Sequence, residues 1–239
     1  MTTEHPGEHP GDHRTTVTPA PRVAAVDDNT IIRDSLCPLF PGWEVVGCFR
    51  DAEALLAARP AADVVIVDLN LAGTGPAPVL QGPAAVRAVV RAGYRVLVFT
   101  SEVRRTILVD CLTAGAQGIV HKAEPLAALG DAVEAVAAGQ IVITQELTGL
   151  AELAERRKQL PNLSGREREV LAGRARGESF RSIARRLNIT PQTATGYMNG
   201  VKTKFAAYLR DHSPADLEHY LGLEPAGLTD WQPPTTGPR

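Results

Sequence analysis

The spacing of apolar and polar positions changes repeatedly along the chain, and the changes divide it. Between residues 22 and 138, short apolar runs alternate with stretches of helical period. Arg22–Val26, Trp43–Phe49, Asp63–Val67, Arg95–Phe99 and Gln117–Val120 read as strands. Val64-Val65-Ile66-Val67 is continuously apolar and β-branched, the pattern of a strand buried on both faces. Between the strands, Thr30–Leu39, Asp51–Ala58, Pro83–Arg91, Val103–Ala114 and Pro125–Ala138 predict helices. Asp51 caps the second and Pro83 sits in the first turn of the third, while Gly115 and Gly139 end the last two. Leu126, Leu129, Val133 and Val136 give the last helix its apolar stripe. Five consecutive βα units imply a doubly wound, five-stranded parallel sheet with right-handed crossovers.

Beyond residue 138 the period of two disappears. Residues 139–161 read as a linker with a helical stretch whose apolar face is Leu147, Leu150, Ala151, Leu153 and Ala154. Residues 162–209 form a short all-helical module. Ser164 with Glu167 three residues later is a capping box, and Gly177 closes that helix. Ser179 caps Phe180–Leu187, which turns Ile183, Ala184 and Leu187 inward. Asn188-Ile189 is a tight turn, and Thr190-Pro191 starts a third helix running to about Tyr208. Its inward stripe is Ala194, Met198, Val201 and Phe205. Two helices joined by such a turn describe a helix-turn-helix.

The ends carry little apolar surface. Residues 1–21 are rich in His, Pro, Gly and Thr and are expected to be disordered. His5, His9 and His13 recur every four residues, but Pro6, Gly7, Pro10 and Gly11 forbid the helix that would align them. The 210–239 extension holds one amphipathic segment, Pro214–Leu223, and a Pro/Thr/Gly end. The connection 70–82 is long for this architecture, which points to function or mobility.

Charge sharpens the division. The chain of 239 residues has a net charge of −2. Residues 22–138 hold ten Lys/Arg against thirteen Asp/Glu, a net of −3, whereas 162–210 hold ten against three, a net of +7. A basic module on a mildly acidic one suggests a polyanion as partner of the former. Cys37, Cys48 and Cys111 are widely spaced among apolar residues, as core thiols of a reducing compartment would be. No apolar run reaches the roughly 20 residues of a membrane helix, and the N-terminus lacks the apolar region of a signal peptide. A cytoplasmic protein without a membrane role is expected.

Candidate chemistry gathers at strand ends. Asp68 follows the buried strand, Asp27 and Asp28 follow the first, Thr100 and Ser101 follow the fourth, and Lys122 follows the last. In an open parallel sheet the C-terminal strand ends form the ligand edge. Phosphoryl transfer onto Asp68 needs such a set: a carboxylate nucleophile, acids for a hard cation such as Mg²⁺, an ammonium for the transferring oxygens and a hydroxyl donor. A dehalogenase-like phosphatase would need a second Asp where Asn70 stands. A dinucleotide site would need a glycine-rich turn where Asp27-Asp28-Asn29 stands.

These residues resemble the receiver domain of two-component response regulators, a flavodoxin-like fold, over residues 22–138. Val26-Asp27-Asp28, Val65-Ile66-Val67-Asp68, Phe99-Thr100-Ser101 and His121-Lys122-Ala123-Glu124-Pro125 carry the likeness in order. The resemblance implies Asp68 as phosphoacceptor, and Mg²⁺ held by Asp27, Asp28, Asp68 and the backbone carbonyl of Asn70. It implies Thr100 as switch hydroxyl and Lys122 as the phosphoryl contact. Two positions depart from the family: Ile119 replaces an aromatic residue, and Ala72 stands where the shorter family loop has Pro.

Residues 162–208 resemble the LuxR-type DNA-binding domain, the output module of NarL/FixJ regulators, through Ser164–Leu171 and Ser182–Ile189. In such a module the third helix enters the major groove. Gln192, Thr193, Thr195, Gly196, Asn199 and Thr203 would face the bases; Lys202, Lys204, Arg185 and Arg186 would meet phosphates. The family commonly has Lys at Thr195 and no glycine in this helix. Gly196 and Gly200 each cost about 1 kcal/mol relative to Ala. The resemblance implies a regulator that takes phosphate from a histidine kinase, shifts the face around 103–114, and frees helix 190–208 or dimerises on DNA. A pseudo-receiver governed by a ligand or by dimerisation, and an adaptor that no longer reads DNA, are the alternatives.

Overall fold

A computed structural model describes residues 20–71, 79–156, 160 and 162–212. The histidine-containing start, most of the long loop after Asp68 and the Pro214–Leu223 segment lie outside the described residues. The first part is built from β1 (Arg22–Val26), α1 (Thr30–Leu39), β2 (Glu44–Phe49), α2 (Ala52–Ala58), β3 (Val64–Val67), α3 (Gly82–Arg91), β4 (Val96–Thr100), α4 (Arg105–Thr113), β5 (Gly118–His121) and α5 (Leu126–Ala137). The second part adds α6 (Gln145–Arg156), α7 (Gly165–Ala175), α8 (Phe180–Leu187) and α9 (Pro191–Asp211).

The sheet is parallel throughout, in the order β2-β1-β3-β4-β5. Strand order reverses around β1 and β3, and the crevice of such a sheet opens there. Alternation along each strand sorts the core into two layers. Ala24, Val26, Val65, Val67, Val96 and Val98 pack with residues of α2, α3 and α4. Val23, Ala25, Val64, Ile66 and Leu97 pack with Leu36 of α1 and Leu129, Val133 and Val136 of α5. Covered on both sides, β3 leaves no apolar side chain to water, which is why its sequence shows no alternation.

Caps form where the sequence places them. The Asp51 carboxylate accepts from the Ala54 amide at 2.8 Å. Ser164 and Glu167 close a reciprocal capping box at 3.2 and 2.7 Å. Thr190 caps α9, accepting from the Thr193 amide at 3.0 Å. Gly115, Gly139 and Gly177 take positive φ after their helices, a conformation glycine adopts without a Cβ clash.

Two expectations change. The 139–161 stretch does more than connect, because α6 buries Leu147, Leu150, Ala151 and Ala154 in a core continuous with α4 and α7–α9. Cys48 is exposed, not a core thiol. It lies on β2, which ends the sheet order, so one neighbour strand is missing and its side chains are half-covered. Cys111 is buried, and burial pushes its thiol pKa up.

The helical module leans on the receiver-like part. α9 packs on α4, with Tyr208 and Leu209 buried. The Thr113 hydroxyl donates to the Leu209 carbonyl at 3.4 Å. The Asn199 side-chain amide reaches Gln140 at 3.4 Å, and that of Gln145 donates to the Arg174 carbonyl at 2.6 Å.

Candidate functional site

Parallel strands that end in register bring residues far apart in the chain to one edge. Lys122 Nζ lies 3.0 Å from Asp27 Oδ2 and 2.9 Å from Asp68 Oδ2. The other oxygens are fixed by backbone amides: Asn29 N donates to Asp27 Oδ1 at 2.8 Å, and Leu69 N to Asp68 Oδ1 at 2.8 Å. Asp28 joins them, and one oxygen from each of Asp27, Asp28 and Asp68 lies within 4.8 Å of the others. Such a set of hard oxygen donors fits a small divalent cation. The Asn70 side-chain oxygen beside them is buried without a hydrogen-bond partner.

One ammonium serves two buried carboxylates here. Burial pushes the Asp68 pKa up, and the hydrogen bond and charge of Lys122 only partly offset it, while the nearby Asp27 charge adds to the rise. Burial alone would pull Lys122 down, but hydrogen bonds and charge from Asp68 and Asp27 hold it above its ordinary value. Asp68 is therefore an under-compensated carboxylate at a strand end.

Thr100 is fully buried at the end of β4. Its carbonyl accepts from Lys122 N at 2.7 Å, and its hydroxyl oxygen accepts from Glu102 N at 3.1 Å, which leaves the hydroxyl proton to donate. Ile119, at the aromatic position of the family, is buried beside a cavity of about 100 Å³ that it shares with Glu102, Val103, Leu108, His121 and Thr144. Sequence reasoning missed Phe99, whose ring lies 5.6 Å from the Lys122 ammonium. An aromatic residue one position before Thr100 was the available signal.

The second candidate surface is α9 with α8. Gln192, Thr193, Thr195, Gly196 and Thr203 stand exposed, as the helical period requires, and Arg185 is exposed on α8. The Thr195 and Thr203 hydroxyls donate back to the Pro191 and Asn199 carbonyls, both at 3.0 Å. Asn199 is half-buried against Gln140. The remaining cations are placed differently from a free outer face. Lys204 Nζ contacts both Glu167 oxygens at 2.9 and 2.8 Å and the Asn162 carbonyl at 2.9 Å. Arg186 pairs with Glu178 at 3.2 Å. Lys202 lies in a crevice between the two parts of the molecule. Long side chains choose partners across the fold, which periodicity does not encode.

Glu167 is the residue that holds Lys204. Burial raises its pKa, but hydrogen bonds from Lys204 and Ser164 outweigh that and hold it below the ordinary range. Gly200 makes room for it: a Cβ there would sit 2.6 Å from Glu167 Oε1, whereas a Cβ at Gly196 meets nothing within 4 Å.

The family model described as "Bacterial regulatory proteins, luxR family" matches residues 161–212. The response regulator RamR of Streptomyces coelicolor is 32% identical over 192 residues, covering 78% of this chain and 90% of that protein. The response regulator UvrY of Escherichia coli O6:H1 is 26% identical over 210 residues, covering 82% of this chain and 91% of that protein. A solved structure of the two-component response regulator RcsB in complex with DNA covers 85% of this chain and 98% of its own, at 24% identity and a TM-score of 0.48. A parallel five-stranded sheet with an acid pocket at its strand ends, followed by a LuxR-type helix-turn-helix and matched along nine-tenths of RamR, makes the chain a member of the NarL/FixJ-type transcriptional response regulators.

Proposed function

We propose that this regulator is controlled by transfer of a phosphoryl group from a histidine kinase to Asp68, and that the transfer governs how α9 reads double-stranded DNA. The observation that carries the reading is the Lys122 ammonium bridging Asp27 and Asp68 with Asp28 in reach. A carboxylate oxygen of Asp68 attacks phosphorus as the bond to the donor's imidazole nitrogen breaks. The leaving imidazole keeps the electron pair, and an acyl phosphate remains on Asp68. Mg²⁺ fits the oxygen set of Asp27, Asp28, Asp68 and the Asn70 backbone carbonyl, and when bound it neutralises charge on the transferring oxygens. Lys122 follows the phosphoryl oxygens as Asp68 loses its own negative charge. Thr100 then donates its hydroxyl proton to one of them.

In this reading residues 22–138 act as the receiver, 139–161 couple it to the output, and 162–209 form the DNA-binding domain. Residues 1–21 and 210–239 are appendages to this cytoplasmic protein. Among the described residues no helix is long and apolar enough to cross a membrane. Gln192, Thr193, Thr195, Asn199 and Thr203 face bases, and Arg185, Arg186 and, once the two parts separate, Lys202 approach phosphates, while Lys204 stays paired with Glu167 inside the helical module. A homodimer reads two half-sites related by two-fold symmetry. Phosphorylation biases a pre-existing equilibrium between a conformation with α9 packed on α4 and one with α9 released.

One observation favours a second mode of control. Ile119, beside the small cavity, stands where the family has the aromatic residue that relays the state of the phosphoacceptor, so a pseudo-receiver governed by a ligand or by dimerisation is the rival. Acetyl phosphate with Mg²⁺ separates them. Wild-type protein is expected to gain one phosphoryl group by intact mass, and Asp68→Ala none. An unchanged wild-type mass sinks the phosphorylation reading.

A further inference from the structure

A crevice of about 450 Å³ lies where the β5–α5 connection, α6 and the helical module meet. Its volume falls within the roughly 300–1,000 Å³ typical of small-molecule sites. Two cations stand in its wall, Lys202 of α9 and Arg174 of α7. Among the described residues Lys202 has no ion pair and no hydrogen bond, although it is half-buried. Burial, and then the nearby Arg174 charge, hold its pKa below the ordinary value. Arg174 lies 4.8 Å over the Phe180 ring and spends one donor on the Glu178 carbonyl at 2.6 Å, which leaves four of its five N–H groups.

The rest of the wall is chemically mixed. Phe180 and Met198 supply an apolar side. Glu124 is the acid in the wall, and its Oε1 already accepts from His121 N at 3.0 Å. His121 Nδ1 accepts from Ala123 N at 3.1 Å, so a neutral ring carries its proton on Nε2, which is buried without a partner. A half-buried ammonium left uncompensated beside a guanidinium is costly. A doubly charged anion between the two would remove that cost.

We propose that this crevice binds a small phosphomonoester with an apolar body, its phosphate between Lys202 and Arg174 and its body against Phe180 and Met198. The wall is shared by both parts of the molecule, so the ligand holds them together. It also occupies the Lys202 ammonium, a group assigned above to DNA phosphate. The site is independent of Asp68 chemistry, and its test needs neither phosphorylation nor DNA.

Phenyl phosphate is the probe, titrated calorimetrically into the full-length protein. One saturable site is expected, with inorganic phosphate binding more weakly because it lacks the apolar body. Lys202→Met is expected to weaken phenyl phosphate by roughly tenfold or more, the usual loss for a charged hydrogen bond. Arg181→Gln, an exposed cation of the same module, keeps wild-type affinity. A second measurement needs no variant: pyridoxal 5′-phosphate followed by borohydride tags Lys202, read by peptide mass, and excess phenyl phosphate blocks the tag. No saturable binding, equal affinity in Lys202→Met, equal affinity for inorganic phosphate, or a tag at Lys202 that phenyl phosphate does not block would each overturn the proposal.

Discussion

Two lysine–carboxylate clusters in this molecule are built alike and balanced differently. In the receiver, the Lys122 ammonium is shared by Asp27 and Asp68, with Asp28 close by. In the helical module, Lys204 pairs with one carboxylate, Glu167, and also donates to the Asn162 carbonyl, while Glu167 accepts from the Ser164 amide as well. The first cluster has more negative charge than its cation can compensate, and burial drives Asp68 upward. The second is satisfied, and Glu167 sits below its ordinary pKa. A surplus of buried charge is what a site awaiting a cation or a phosphoryl group carries. A closed account of charge is what a structural lock carries.

The sharpest way to break that contrast is to remove the shared cation. Lys122→Met in Mg²⁺-free buffer leaves Asp27 and Asp68 facing each other. It is expected to cost about 3 kcal/mol of unfolding free energy, read from urea denaturation. An unchanged midpoint would mean the acids do not depend on Lys122. The pH dependence should then separate the clusters by sign. The folded pKa of Asp68 lies above the unfolded value, so the folded protein is penalised once pH rises through that window. Asp68→Asn is therefore expected to melt above wild type at pH 7, the gap closing below the ordinary carboxylate range. The folded pKa of Glu167 lies below the unfolded value, so its contribution is present above that value and lost as pH falls through the folded one. Glu167→Gln is expected to melt below wild type at pH 7, with the gap again closing on acidification. Gaps of the same sign in calorimetric scans would erase the distinction.

The two clusters also differ in how far the sequence reveals them. Asp27, Asp28, Asp68 and Lys122 could be placed together because each follows an apolar strand, and a parallel sheet leaves few ways to arrange five strand ends. Helix faces were equally legible for apolar residues: Ala194, Met198, Val201 and Phe205 are all buried as their spacing requires. Lys204 and Lys202 were not: Lys204 takes its partner from a neighbouring helix, and Lys202 lies in a crevice lined by both parts of the molecule. The Glu167 capping box was visible, but its link to Lys204 through the gap at Gly200 needed the packing angle of α7 on α9. The contact of α9 with α4 was likewise beyond local pattern, and α6 read as a connector because its apolar face does not say what covers it.

On DNA, the cations rank by whether a carboxylate already holds them. Arg185 is exposed on α8, and Arg185→Ala is expected to weaken binding while lowering the slope of log K against log salt by about 0.9. Lys204→Met is expected to leave that slope unchanged and instead cost about 1.5 kcal/mol of stability, because its charge is spent on Glu167. Binding isotherms at several salt concentrations separate the two. A slope that falls equally in both variants would return Lys204 to the DNA-facing set.

The smallest effect tests the same lock through two glycines of one helix. Gly196 faces open space, so Gly196→Ala should gain about 1 kcal/mol from helix propensity alone. Gly200→Ala gains the same propensity but sets its Cβ 2.6 Å from Glu167 Oε1. Glu167 cannot swing aside freely, because Lys204 and the capping box hold both its oxygens. Giving up the cap costs about 1 kcal/mol, so the two contributions cancel and Gly200→Ala should leave the urea midpoint where it was. Equal gains from the two substitutions would show that Glu167 moves at no cost, and that the cluster in the helical module is looser than the one around Asp68.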